Sequence, residues 1–426
     1  MLSSRNDNSV SRLLVCAYAC LPEGRTSWSG TGEHLLGWRL AHQLARFCQV
    51  TVLTAAELKD RIEKALPKKA FRRMTFVYVA LPKFLSFLLR FEGGIHFYAY
   101  LWQIKAYWIA RRLHRIQPFN AFHHLTYAND WMASYLGAFL PVPYVRGPGG
   151  GAHRVPRAFR KEFSVKQRLW ESIRVLGQWL YRHDPVFFLG QKRARALLLC
   201  NREAMKAVPD EWKPKAFLFP VNGIDKKEII TRKGKGTSRV FRVISAGQFI
   251  RLKGFHLGLQ AFKKLNAKYP HTKLFIYGDG PEERNLKSLV HSARLTQKVV
   301  IGNYLPRKEL LSRMREADVF LFPSFRDGGG AVVVEAMASG IPVICLDTGG
   351  PGFHIQNMEW GMAIDPRGPG YVIDQMSQAL ETLCRNLSLR NRLRRAAYQR
   401  VREFYDWDKI GDRINRLYQE LVWINQ

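Results

Sequence analysis

The chain has 426 residues, long enough for two domains of ordinary size, and 47% of them are apolar, which excludes a disordered protein. Its 67 Lys and Arg against 34 Asp and Glu give a formal charge of +33. That balance predicts attraction to polyanions such as nucleic acid, anionic lipid or phosphorylated substrates, and says little about fold. The six cysteines, Cys16, Cys20, Cys48, Cys200, Cys345 and Cys384, form no C-x-x-C pair and several sit in apolar runs. Reduced, buried thiols and a cytoplasmic compartment are therefore expected, not a disulfide framework or a zinc site. The apolar stretch near the N-terminus is too short to span a bilayer and reads as a first strand, Leu13–Tyr18, rather than a signal peptide.

Strand and helix patterns alternate from that strand onward. EHLLGWRLAHQLARF places Leu36, Leu40, Leu44 and Phe47 on one helical face, and QVTVLTA follows as a strand, a βαβ order that implies a parallel sheet. FVYVAL, AFHHL and VPYVRG read as further strands, and HFYAYLWQIKAYWIARRLHRI reads as a basic, aromatic helix. Leu81–Phe119 as a whole has the composition of a segment that lies in a membrane interface. The second half repeats the alternation from FRVISAGQ to IPVICLD, with each strand closed by Gly, Asp, Ser or Pro. The fold class expected is α/β, with two Rossmann-like doubly wound units facing a cleft, and ligands in such sheets bind beyond the carboxyl ends of the strands. A turn-rich, basic boundary at Phe219–Gly236 divides the chain into a first unit (1–218), a second unit (219–400) and a closing helical segment (401–426).

The strongest chemical signal is SFRDGGGAVVVEAMASGIPVI. Gly328, Gly329 and Gly330 precede an apolar helix whose unpaired N-terminal amides and dipole favour a phosphate. Asp327 and Glu335 flank that helix start, eight positions apart. The stretch resembles the E-x7-E motif of family 4 glycosyltransferases, a GT-B family, with Asp327 in place of the usual Glu. The resemblance implies that Asp327 contacts the donor sugar and that Glu335 holds the ribose of the nucleotide. ISAGQFIRLKGF resembles the family's G-R-L-x3-K-G loop, which makes Lys253 the cation on the donor diphosphate. Gln248 stands at the Arg position, and Arg251 is a candidate substitute. A fixed cation there stabilises charge that builds on the leaving diphosphate.

Weaker matches extend the resemblance. IGNYLPRKEL places Tyr304 and Leu305 near the nucleobase, and TGEHLLGW, with the glycine just before it, places Gly30 and Gly32 beside the diphosphate. AFHHL falls where the family carries a catalytic histidine. The adjacent pair leaves that assignment open by one position, with His124 preferred and His123 acceptor-side. RGPGGGA puts Arg146, Gly149 and Gly150 on the acceptor side. Asp406-Trp407-Asp408 matches a metal-binding D-x-D but sits just before a helix, where aspartates cap. The implied activity is retaining transfer from a nucleotide-diphosphate sugar to a lipid-linked or polysaccharide-precursor acceptor, with no metal and no cofactor, at the cytoplasmic face of an anionic membrane. A GT-B nucleotide-sugar epimerase and a non-enzymatic polyanion-binding protein are the rival readings; RNP, KH and helix-turn-helix signals are missing, so no specific nucleic acid is expected.

Overall fold

The computed structural model describes residues 11–24, 26, 31–66, 73–91, 93–151, 153–229 and 240–423. Two sheets, all of whose strand pairs are parallel, organise the chain. The first contains β1 (Arg12–Cys16), β2 (Gln49–Ala55), β3 (Met74–Val79), β4 (Ala121–His124), β5 (Tyr144–Gly149), β6 (Ala194–Leu199) and β7 (Ala216–Leu218), in the order β3-β2-β1-β4-β5-β6-β7. The second contains β8 (Phe241–Ala246), β9 (Thr272–Tyr277), β10 (Val299–Gly302), β11 (Val319–Phe322), β12 (Val343–Leu346) and β13 (Met362–Ile364), in the order β10-β9-β8-β11-β12-β13. Strand order reverses between β1 and β4 and between β8 and β11. Such a reversal opens a crevice at the carboxyl ends of the strands.

The expected strands are found with shifts of a residue or two at their ends. β6, β7 and β13 are additional; the last two span three residues each, too few to show a period. The helices that position the cleft are α1 (Thr31–Ala45), α2 (Gly94–Ile116), α3 (Val165–Arg182), α4 (Phe255–Lys268), α5 (Arg307–Glu316), α6 (Ala331–Ala338) and α7 (Trp407–Leu421).

One core fills both faces of the first sheet, and it includes Trp407, Ile410, Ile414 and Tyr418 of α7. Two further clusters cover the two faces of the second sheet. The chain crosses between the sheets at two adjacent places, tied together where the Ile224 amide donates to the Tyr405 carbonyl at 2.7 Å and the Trp407 amide to the Ile224 carbonyl at 3.2 Å. Asp406 accepts from the Asp408 amide at 2.8 Å and caps α7.

A third crossing departs from the expected unit boundary. Val155, Phe159 and Phe163 lie within 1–218 but pack into the core of the second sheet, where Phe159 stacks on Phe325 at 5.0 Å. Glu162 reaches Arg251 at 2.9 Å and His256 at 3.0 Å. Tyr98, Trp102, Gln103, Ala106 and Ala110 turn one stripe of the basic-aromatic helix α2 into the first core, while Phe97 and Trp108 stay exposed. Among the described residues no helix is long and apolar enough to cross a membrane.

Candidate functional site

Between the two sheets lies a cleft of about 1020 Å³. Its first-unit wall comprises Gly32 and Glu33 at the start of α1, Ala128 and Asn129 after β4, and the Pro148–Gly151 backbone. Val221–Ile224 and Trp407 form its floor. Its second-unit wall carries Gln248, Lys253, Tyr304, Leu305, Arg307, Glu335 and the Asp327–Val332 backbone.

Lys253 ends a single 3-10 turn, Arg251–Lys253, that follows β8. Gly254 stops the turn with φ +65°, and a Cβ there would lie 2.2 Å from the Pro323 carbonyl oxygen. Only glycine permits that backbone conformation at so close an approach. The loop after β11 is thereby held against the Lys253 turn, with the Phe325 amide donating to the Leu252 carbonyl at 3.1 Å. This close approach lets the Lys253 ammonium donate to Asp327 Oδ2. The other oxygen, Oδ1, accepts from the Gly330 amide at 2.7 Å. Burial alone would raise the Asp327 pKa; the Lys253 ammonium and the Gly330 amide outweigh it and hold the carboxyl below its ordinary range.

Gly330 enters α6 with φ +61°, and a Cβ would meet the Pro351 nitrogen at 2.8 Å. The carbonyls of this loop are all engaged. Gly328 accepts from Asn201 Nδ2 at 3.0 Å, Gly329 accepts from Asn222 and lies 2.6 Å from His354 Nε2, and Asp327 accepts from the Gly350 amide at 2.9 Å. Fixing the carbonyls outward leaves the first α6 amides, at Ala331 and Val332, on the cleft wall. A helix N-terminus so placed is an anion site.

Glu335, within α6, accepts from Arg307 Nε at 2.7 Å, and the same guanidinium pairs with Glu228. Burial raises the Glu335 pKa, with Arg307 opposing and Glu228 adding to the rise. Arg307 itself is pushed down by burial but is carried above its ordinary value by the two carboxylates. Gln248, Tyr304 and Leu305 all face the same wall.

Several expected residues are placed elsewhere. His123 and His124 occupy adjacent positions of central strand β4, and both faces of that sheet are covered, so both imidazoles are buried and neither lines the cleft. His123 lies 2.6 Å from the Gly147 carbonyl and 2.9 Å from the Tyr418 hydroxyl. Burial pushes its pKa down to about 4 and that of His124 to about 3. Arg146 is buried beneath the loop after β4, donating to the Asn129 and Met132 carbonyls, and it does not line the cleft. Arg251 does not line the cleft; its guanidinium turns to Glu162 at 2.9 Å and Glu282 at 3.7 Å. Gly149, Gly150 and Gly32 do line the cleft. Gly30 lies outside the described residues.

Among the cleft residues that escaped the sequence reading are two with hydrogen-bonded charges, Arg307 and Glu33. Arg307 directly follows the Tyr304–Leu305 loop, and its cleft role depends on Glu228, distant in sequence, which no spacing reveals. Glu33 lines the cleft from the first unit, where its carboxylate accepts from the Tyr127 amide at 2.7 Å. Burial raises its pKa against that hydrogen bond. The signal available was an acidic residue in the first turn of a helix after a strand.

Residues 226–400 match the family model described as Glycosyl transferases group 1. The glycogen synthase of Mycobacterium tuberculosis (strain ATCC 25618 / H37Rv) is 23% identical over 300 residues, 69% of this chain and 68% of its own. The lipopolysaccharide core biosynthesis glycosyltransferase LpsE of Rhizobium meliloti (strain 1021) is 26% identical over 170 residues, 40% of this chain and 47% of its own. WaaG, a glycosyltransferase involved in lipopolysaccharide biosynthesis, superposes over 95% of this chain and 99% of its own with a TM-score of 0.60 at 16% identity. The sucrose-phosphate synthase from Thermosynechococcus elongatus does so over 97% and 100%, with a TM-score of 0.63 at 15% identity. The two facing doubly wound sheets are the GT-B fold.

Proposed function

We propose that the protein is a retaining glycosyltransferase of the family 4 type, moving a sugar from a nucleotide-diphosphate donor to a lipid-linked or polysaccharide-precursor acceptor. The observation that carries this reading is the joint placement of Lys253, Asp327, Glu335 and the glycine-led start of α6 on one wall of the cleft. The group 1 match over that same unit supports it. The relative named for lipopolysaccharide core biosynthesis supports the acceptor class.

In this reading the donor diphosphate meets the α6 amides and Lys253, and Glu335 holds the ribose. Asp327 anchors Lys253 and contacts the sugar. As the glycosidic bond to the diphosphate breaks, negative charge grows on the leaving oxygen. The Lys253 ammonium is already oriented by Asp327, so little reorganisation accompanies its stabilisation of that charge. The acceptor hydroxyl attacks from the face the diphosphate leaves, and the departing phosphate takes its proton, which requires no protein nucleophile and retains the anomeric configuration. In this reading the reaction uses no metal and no resident cofactor. The excess positive charge favours work at the cytoplasmic face of an anionic membrane.

The test is incubation with radiolabelled UDP-, GDP- and ADP-sugars and a lipid extract. Transfer of label to lipid with inversion excluded by product NMR is the expected outcome. Conversion of the nucleotide sugar without acceptor points instead to an epimerase.

A further inference from the structure

Helix α3 is amphipathic in the reverse of the usual sense. Its inward face is polar: Glu171 pairs with Arg174 at 2.5 Å and with Arg326, and Gln178 donates to the Gly151 carbonyl at 3.1 Å. Its outward stripe is Val165, Leu169, Ile173, Leu176 and Leu180, at helical spacing. Trp170 and Trp179 flank the stripe, and these seven side chains are between 42% and 74% exposed. A contiguous apolar face of this size on a water-soluble surface marks an interaction site.

The surrounding charge selects the occupant. Glu171, the one acidic residue of α3, is turned inward, while Lys166 and Arg168 are exposed beside the stripe. Arg157, Arg160 and Lys161 lie just before the helix. The far end of α3 meets α2 through Tyr181 and Tyr100, whose rings are 6.4 Å apart. Ahead of α2, the Lys83–Arg90 turn exposes Phe84 and Phe87. Apolar and aromatic side chains rimmed by cations fit the headgroup layer of an anionic bilayer. A second copy of a chain carrying +33 is disfavoured by mutual repulsion.

We infer that α3 is a docking helix whose Leu169–Ile173–Leu176 face seats on an anionic lipid surface. Its polar face simultaneously holds both walls of the cleft. On the first-unit wall, Arg174 Nη1 and Gln178 donate to Gly151. On the second, Glu171 holds Arg326, the residue before Asp327. Docking thus places the cleft mouth beside the bilayer. This inference rests on the membrane-surface part of the proposed function and locates it on α3 rather than on α2.

The test is co-sedimentation of the full chain with phosphatidylglycerol–phosphatidylcholine vesicles and with phosphatidylcholine alone, without acceptor or donor. The wild-type chain is expected on the anionic vesicles only. The triple variant Leu169→Gln, Ile173→Gln, Leu176→Gln is expected to lose about ten-fold in partitioning, with unchanged binding of nucleoside diphosphate as the check on folding. Leu169→Lys with Ile173→Lys separates insertion from attraction, because it adds charge yet is expected to weaken binding. Wild-type binding that neither variant alters overturns the role of α3 and leaves membrane association standing. No wild-type binding overturns both. A concentration-dependent dimer that the triple variant dissolves, without vesicle binding, assigns the face to a second copy.

Discussion

The second-unit wall of the cleft presents its charges in pairs, Lys253 with Asp327 and Glu335 with Arg307, around a loop, Asp327–Gly330, whose carbonyls are all hydrogen-bonded. The first-unit wall presents glycine backbone and one carboxylate, Glu33, that holds an amide, while its histidines are turned into the sheet. Paired and braced charges cost little to reorganise when a diphosphate arrives. A wall of backbone selects by shape and admits variation. Under the proposed function the contrast sets the donor diphosphate against the braced wall and the acceptor against the backbone wall.

The contrast breaks most visibly at Lys253. Lys253→Ala is expected to lower turnover by about 10²–10³-fold, as for loss of a transition-state donor. It also leaves the Asp327 carboxylate without its cation, which is expected to lower stability; chemical denaturation measures this separately from kinetics. Equal turnover in the variant removes Lys253 from the donor site.

Acid stability sharpens the other wall. His124 has a folded pKa of about 3, far below the roughly 6.5 of an unfolded imidazole. The folded state therefore binds fewer protons, and the contribution is complete above pH 6.5 and lost as pH falls toward the folded value. Between pH 7 and 5 the loss is about 2 kcal/mol for this one side chain. His123, at about 4, adds slope of the same sign. Urea titrations at the two pH values are expected to show His124→Phe with a shallower dependence than wild type. An unchanged slope combined with abolished turnover at pH 7 points instead to a catalytic histidine.

A smaller effect is expected at the ribose position. Glu335→Gln keeps Arg307 paired with Glu228 and is expected to raise the donor KM about ten-fold, the loss of one charge-assisted hydrogen bond, with kcat little changed. Smallest is Arg251→Ala, whose guanidinium faces Glu162 and Glu282. Donor affinity is expected to hold within about two-fold, because no phosphate contact is lost, and a ten-fold loss measured by calorimetry restores Arg251 to the diphosphate.

The sheets were legible because buried parallel strands read as apolar runs closed by turn residues, as β8 and β11 do. Lys253, Asp327 and Glu335 were legible because their loops carry glycines at positions where backbone must approach closely. Arg307 was not, since its pairing with Glu228 joins residues far apart in the chain. The His123–His124 reading failed on geometry: neighbours on a strand point to opposite faces, and both faces here are covered. That Val155, Phe159 and Phe163 pack on the second sheet was not legible, because a short aromatic run carries no mark of which sheet it will meet. Nor was α3 recognised, although its stripe has a helical period, because an apolar face does not announce that it will point outward.

The central claim is that the second-unit wall binds a nucleoside diphosphate through Lys253 and the start of α6. Isothermal titration of UDP, GDP and ADP into wild type, Lys253→Ala and Arg251→Ala tests it directly. The account predicts saturable binding of at least one diphosphate to wild type and Arg251→Ala, and at least ten-fold weaker binding to Lys253→Ala. Equal affinity for Lys253→Ala, or no binding of any of the three to the wild-type chain, would contradict it.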